Sequence, residues 1–330
     1  MNRQLKYINK LLYTAAVPRH PQRLSVLIYH RILAEPDPMR PWEPLVDEFS
    51  RQMAIISSCF TPMSLSVALE LMDKDSLPDR AVCVTFDDGY ADNCSVASPI
   101  LRKYKVPATV FVSTDYLDGG MMWNDTVIES IRRVPLGSVD LRPFGLPELN
   151  VEADTKRCAI ALNLIDTIKY LPNQQRNDVA GYLSSLAQSP QRNLMLTRKE
   201  LISMSSDDIE IGAHTLSHPI LSEISNHNAE REIVESKNVL EDILNKPVRY
   251  FAYPNGKPGK DYLQKHRDMV KDAGFEAALS THHGVSDTST DRWQLPRFTP
   301  WDRTPLKFIL RMILNARLVP TAAKSIDNPG

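Results

Sequence analysis

Ala81-Val82-Cys83-Val84-Thr85-Phe86 runs straight into Asp87-Asp88-Gly89-Tyr90. Six apolar or β-branched residues ended by an Asp-Gly turn signal read as a strand buried on both faces. Working outward, the same grammar recurs at Leu24–Tyr29, Ala108–Val112, Ile209–Ala213, 248–253 and 275–279, and more weakly at 293–298, which Pro296 demotes. Helical patterns sit between these runs. In 228–244, Ile233, Val239, Leu240 and Ile243 hold near-helical spacing with charges opposite, and 99–104 and 261–273 are further helices. Continuous apolar strands alternating with helices imply a parallel sheet covered on both sides. Seven such strands suit a barrel better than an open sheet.

Residues 114–204 break this rhythm. They hold Gly119-Gly120, a Pro/Gly/Leu-rich loop near 135–149, and helical patterns over 154–170 and 177–186. They read as a mostly helical insertion between two barrel strands. The chain as a whole has 330 residues, with 39 Lys and Arg against 40 Asp and Glu. Its 42% hydrophobic and 24% charged residues are enough for a sizeable core. Near-neutral charge gives no general reason for nucleic-acid binding. Neither a dinucleotide fingerprint nor a phosphate-binding P-loop is present. Cys59, Cys83, Cys94 and Cys158 include no C-x-x-C pair, so neither a zinc ribbon nor a disulfide scaffold is indicated. The apolar stretch from Leu11 to Val17 is too short for a secretory core or a membrane span, so the expected location is the cytoplasm.

Two features carry chemistry. The first is Asp87-Asp88-Gly89 at the end of a strand. Neighbouring strand residues diverge, but a turn eased by glycine can aim both carboxylates into one cavity at the strand end where barrel active sites lie. The plain alternative is a surface turn. The second is His214-Thr215-Leu216-Ser217-His218, after the run Ile209–Ala213. Two imidazoles at this spacing can meet one metal ion, and Pro219 argues for a loop at His218 rather than a long helix. In a parallel barrel both strand ends share a rim. One Asp with two His is a ligand set that leaves positions open for catalysis, and the second Asp stays free as a base.

These motifs resemble those of the polysaccharide deacetylase family, the NodB-homology domain of carbohydrate esterase family 4. The resemblance extends through LIYHRI at the first strand, ATVFVST, IEIGAHTLSHP, FAYPNG (251–256) and LPRF (295–298), spanning about 24–298. It implies a distorted seven-stranded (β/α) barrel, a divalent metal, and hydrolysis of N-acetyl groups from sugars. Carried over by position, Asp87 matches the general base, and Asp88, His214 and His218 match the metal ligands. Zn²⁺ suits three such ligands, as do Co²⁺ and Ni²⁺. Ala252 stands where many members have an arginine that orients the base, and Arg297 is the candidate substitute. This FAYPxG form resembles a branch acting on exopolysaccharide and related surface sugars. Tyr90, Tyr253, Pro254 and Asn255 are candidate substrate-binding residues, Asn255 through a backbone N–H aimed at the oxyanion. The family's late acid motif does not match in register, so His30, His282 and His283 all stand as candidate acids.

The substrate implied is an N-acetylated glycan or a lipid-linked sugar. The alternatives are amide hydrolysis or deformylation of another N-acyl substrate, and an inactive carbohydrate-binding homologue. Outside the domain at 24–300, the ends divide into an amphipathic segment at 1–23 and a helix and tail at 301–330. The first combines Arg3, Lys6 and Lys10 with Leu5, Ile8, Leu11 and Leu12. In the second, Leu306, Ile309, Leu310 and Ile313 form an apolar face widened by Phe308, Met312 and Leu314, beside a basic stripe of Arg303, Lys307 and Arg311. Such helices either cover the barrel or lie in an anionic lipid interface.

Overall fold

Parallel pairing of the apolar runs builds a curled sheet in the computed structural model, which describes residues 23–188, 193–206 and 208–318. The strands are β1 (Leu24–Tyr29), β2 (Thr61–Pro62), β3 (Ala81–Phe86), β4 (Ala108–Val112), the small hairpin β5 (Gly137–Val139) and β6 (Leu149–Val151), then β7 (Ile209–Ala213), β8 (Tyr250–Ala252) and β9 (Ala277–Leu279). The main sheet runs β1-β3-β4-β7-β8-β9, with β2 added beside β3, which makes seven strands. The expected runs at 248–253 and 275–279 contract to β8 and β9.

The seventh strand is not the one expected. It is the two-residue β2, whereas 293–298 forms no strand. That segment instead stitches the barrel shut, through bridges from Leu295 to Leu279 and from Phe298 to Leu27. Pro296 sits between the two bridges and has no N–H to donate, so a continuous ladder cannot form there.

Alternation along the strands sorts the core into two faces. Tyr29, Val84, Phe86, Val110 and Val112 pack outward beneath covering helices such as Val46–Cys59 and Asn226–Leu244. Val26, Cys83, Phe111, Tyr250, Ala252 and Leu279 fill the enclosed side, joined by helix Leu65–Asp73. Gly212 is dictated by this crowding: a Cβ there would lie 2.4 Å from the Phe111 ring.

Between β4 and β7 lie helices Trp123–Ile131, Arg157–Ile168, Asn173–Leu186 and Arg198–Met204, with the β5–β6 hairpin inside the stretch expected to be a loop. The first three share a core of their own, built on Val127, Ile131, Leu164 and Leu183. A buried ion network fastens the first of them to the loop after β1. Arg40 donates to Asp125 at 2.8 Å and to Glu129 at 2.7 Å, and Arg132 bridges Asp37 and Glu129.

The helix Pro305–Ala316 docks on the barrel, burying Phe308, Ile309, Met312 and Ile313. Leu306, Leu310 and Leu314 face outward. The expected basic stripe is partly consumed by ion pairs, Arg303 with Glu48 and Arg311 with Asp302. The amphipathic residues Arg3 to Leu12 lie outside the described residues. Among the described residues, no helix is long and apolar enough to cross a membrane.

Candidate active site

The turn after β3 places its two carboxylates by an unusual backbone. Asp88 has φ +76° and Gly89 φ +87°, two consecutive residues in the left-handed region. An L-residue held there costs on the order of 1–3 kcal/mol and persists only where its surroundings enforce it. They do so here: Asp87 N–H donates to Tyr29 O at 2.9 Å, Ser113 N–H to Asp88 O at 3.2 Å, and Leu196 N–H to Gly89 O at 2.9 Å. A Cβ on Gly89 would press on Val112 Cγ1 at 3.0 Å. The reversal turns both carboxylates into one cavity, where Asp87 is 2% and Asp88 5% exposed.

Register brings the second element to the same rim. Tyr29 pairs with Phe86, Phe86 with Val110 and Val112 with Ala213, so His30 and Asp87 emerge at one level and Ser113 and His214 two residues further on, at the same end of the sheet. His214 Nδ1 lies 2.7 Å from Ala252 O. A carbonyl only accepts, so this nitrogen carries the proton and Nε2 presents a lone pair to the cavity. His218 follows through a loop with Thr215 at φ +65° and His218 at φ +55°. Both Nε2 atoms converge on Asp88 Oδ1, from His214 at 3.4 Å and from His218 at 3.3 Å.

That oxygen is buried and has no hydrogen-bond partner. All three ligand atoms lie within 4.8 Å of one another. A carboxylate oxygen and two imidazole lone pairs repel unless a cation sits between them, so the donor set fits a divalent metal. Burial pushes the Asp88 carboxyl up, yet His214, His218 and His30 outweigh it and hold it well below the carboxylate range. Burial lowers His218 to about 4, helped by the charges of His214 and Arg176 against Asp88. On His214, burial is outweighed by Asp87 and Asp88, which raise it.

Asp87 is gripped from the other side. Arg297, fully buried, donates Nη1–H to Asp87 Oδ1 and Nη2–H to Oδ2, both at 2.7 Å. It also donates to Thr85 Oγ1 at 3.1 Å and to Ser280 O at 3.0 Å. The fork fixes the carboxylate plane as a single bond could not. Burial raises the Asp87 carboxyl, and Arg297 followed by His214 more than reverses this, so it stays ionised at neutral pH.

The remaining candidates separate. His30 and His283 line the cavity with Asp88, His214 and His218, as does Asn255, with φ +58°. Burial and the Arg311 charge lower the His283 imidazole. His282 is not among the lining residues; its Nδ1 lies 2.5 Å from Ser280 Oγ. Tyr90 is buried, and its hydroxyl donates to Asp125 at 2.9 Å, tying the turn to the insertion. Two candidates lie elsewhere. Tyr253 lies in the core, its ring stacked 3.7 Å from Tyr262 and its hydroxyl donating to Trp293 O, and Pro254 is buried beside it. Neither lines the cavity.

Residues missed in the sequence support the site from behind. Glu232 accepts from the N–H groups of Leu216 and Ser217 and from Ser217 Oγ, pinning the histidine loop. The signal was an acid on the buried stripe Ala229, Glu232, Ile233, Ser236 and Leu240. Arg176, 3% exposed, stacks 4.7 Å over Trp123, and only the insertion's packing brings its charge near His218.

A curled parallel barrel with a spare carboxylate beside an Asp-His-His cluster on its rim defines a hydrolase site. The chain belongs to the polysaccharide deacetylase family, whose model matches residues 74–157 and 167–278; it is a hydrolase of the amide-cleaving class that this family forms. It is 20% identical to YxkH of Bacillus subtilis, a polysaccharide deacetylase by assignment, over 84% of this chain and 71% of that one. Among solved structures, the deacetylase PplD of Streptococcus pyogenes, in complex with acetate, superposes with a TM-score of 0.60 at 18% identity, covering 89% of this chain and 99% of that one. A de-N-acetylase from Aggregatibacter actinomycetemcomitans gives 0.55 at 16% identity, covering 88% and 99%. At these identities the superpositions speak for the fold.

Proposed function

We propose that the protein is a metal-dependent N-deacetylase that hydrolyses acetamido groups of a sugar in a surface polysaccharide, exopolysaccharide or lipid-linked glycan. The observation that carries this is the buried, unpartnered Asp88 Oδ1 between two imidazole Nε2 atoms, with a separately held carboxylate beside it. Asp88, His214 and His218 would hold the ion, Zn²⁺ by donor type, with Co²⁺ or Ni²⁺ also suited. When bound, it supplies Lewis-acid polarisation of the acyl group.

The chain's own groups do the rest. Asp87, ionised and locked by Arg297, takes a proton from the attacking water. The Asn255 N–H, which meets no acceptor among the described residues, is the oxyanion donor. His30 or His283, both at the cavity wall, returns a proton to the departing amine. Water adds across the amide, the C–N bond breaks, and acetate and a free amino sugar leave. Acetate, seen with PplD, is the acid this reaction would release.

Metal analysis together with acetate release from acetylated glycans tests the reading. His214→Ala and His218→Ala should each lose the metal while remaining folded. Unchanged metal content in both would defeat the ligand assignment, and formate or another acid in place of acetate would move the substrate to a different N-acyl group.

A further inference from the structure

The insertion helix Trp123–Ile131 starts without a cap. Its N-cap residue, Met122, makes no side-chain cap bond, and the N–H groups of Trp123, Asn124 and Asp125 meet no acceptor among the described residues. Aligned peptide dipoles put partial positive charge at that end. An open helix start names no ligand by itself, but a second observation stands beside it.

Arg176, from the helix Asn173–Leu186, is 3% exposed, and its side chain makes no hydrogen bond or ion pair among the described residues. Its Nε is wholly buried without a partner, and its guanidinium lies 4.7 Å from the centroid of the Trp123 ring. A helical side chain leans back toward the start of its own helix, so this ring carries the guanidinium to the uncapped end. A buried cation without an acid is costly. The acids around it are committed elsewhere. Asp125 gives one oxygen to Arg40 and the other to Tyr90, and Glu232 gives both of its oxygens to the histidine loop. Burial pushes the Arg176 guanidinium down, and neither Tyr116 nor Glu232 offsets this.

Three backbone N–H groups and a five-donor guanidinium exceed what the two oxygens of a carboxylate accept, whereas the oxygens of a phosphate match them. Asn124 lines both the cavity over Asp88 and a smaller cavity beside it, and Arg176 lines neither. The uncapped end therefore borders the catalytic cavity without being part of its wall.

We infer that the start of helix Trp123–Ile131, together with Arg176, is a phosphate-binding site at the edge of the catalytic cavity. The N–H groups of Trp123, Asn124 and Asp125 hold phosphate oxygens from one side and the guanidinium fork from the other. The phosphate supplies the negative charge that Arg176 lacks. It is either free inorganic phosphate or the phosphate of a phosphorylated acetamido sugar. The site stands without the deacetylase reading; only the choice between these two sources rests on it.

The test is a calorimetric titration of the full chain with inorganic phosphate, metal-loaded and again after chelation, so that phosphate on the ion is not counted. The chelated wild-type chain should bind phosphate, and Arg176→Gln should weaken this at least tenfold, with Arg176→Lys in between because it keeps the charge and loses the fork. If Arg176→Gln does not fold, Arg176→Lys decides. No phosphate binding by the chelated wild-type chain, or equal affinity in the variant, overturns the site. Acetate release by the metal-loaded chain then identifies the source. A phosphate carried by substrate gives N-acetylglucosamine 1-phosphate at least tenfold higher kcat/KM than N-acetylglucosamine, an advantage that falls at least fivefold in Arg176→Gln. Equal kcat/KM for the two sugars, with phosphate binding still dependent on Arg176, assigns the site to free phosphate. Such binding with no acetate from either sugar would keep the site and sink the deacetylase reading.

Discussion

Two buried arginines divide the molecule between them. Arg297 gives both arms of its fork to one carboxylate, Asp87, and its other donors to the neutral oxygens of Thr85 and Ser280. Arg40 spreads across three acids, Asp37, Asp125 and Glu129, with Arg132 closing the cluster. The first arrangement leaves one carboxylate planar, ionised and facing the cavity. The second leaves every charge paired, as suits a clasp between the insertion and the barrel. Similar burial and the same side chain serve reactivity in one place and assembly in the other, and partner count tells them apart.

The sharpest break of this contrast is Asp87→Asn. Turnover should fall by ~10²–10⁴-fold with metal content kept, since an amide cannot take the proton. Arg297→Met should show a comparable loss per folded molecule, because Asp87 is then free to rotate. Near-normal turnover in either, by acetate release, would move the base elsewhere.

Glu232→Gln probes the support of the histidine loop. Removing its charge should weaken metal affinity ~10–100-fold, as for other groups that orient metal ligands. A chelator competition titration measures this, and unchanged affinity would show that the loop holds itself.

Arg40→Met should cost ~3–5 kcal/mol of stability by leaving buried acids unpaired, read by denaturant unfolding. Adding Asp125→Leu and Glu129→Leu should return most of it. Per folded molecule, turnover of a monosaccharide should drop less than tenfold. A loss as complete as that of Arg297→Met would erase the distinction between the two arginines.

The smallest effect concerns pH. Burial raises the Asp37 carboxyl, but its hydrogen bonds from Arg132 and Met39 outweigh this and lower it from 3.8 to about 2. A depressed folded-state value means that the contribution is present above the unfolded value and lost as pH falls through the folded one. Stability should therefore decline between about pH 4 and pH 2, and less steeply in Arg132→Gln. Parallel acid-unfolding curves would remove Asp37 from the clasp.

What could be read from the chain alone follows from locality. Strands β1, β3, β4 and β7 announced themselves as unbroken apolar runs, because a strand covered on both faces has no place for polar residues. Asp87, Asp88, His214 and His218 stood out because each pair sits at the end of such a run, and their residue types and spacing belong to metal chemistry. Contacts between distant segments left no periodic trace. Pro296 hid the closing segment behind a broken pattern, and Tyr253 in FAYPNG gave no hint that it would stack on Tyr262 in the core. Arg297 is marked in the sequence only by the arginine missing at Ala252, and its fork on Asp87 depends on the ring of strands closing across 210 residues of chain. The two cavities belong wholly to tertiary structure: their walls gather residues from the loop after β1, the insertion and the segment 299–303, whose side chains share no pattern until the barrel brings them together.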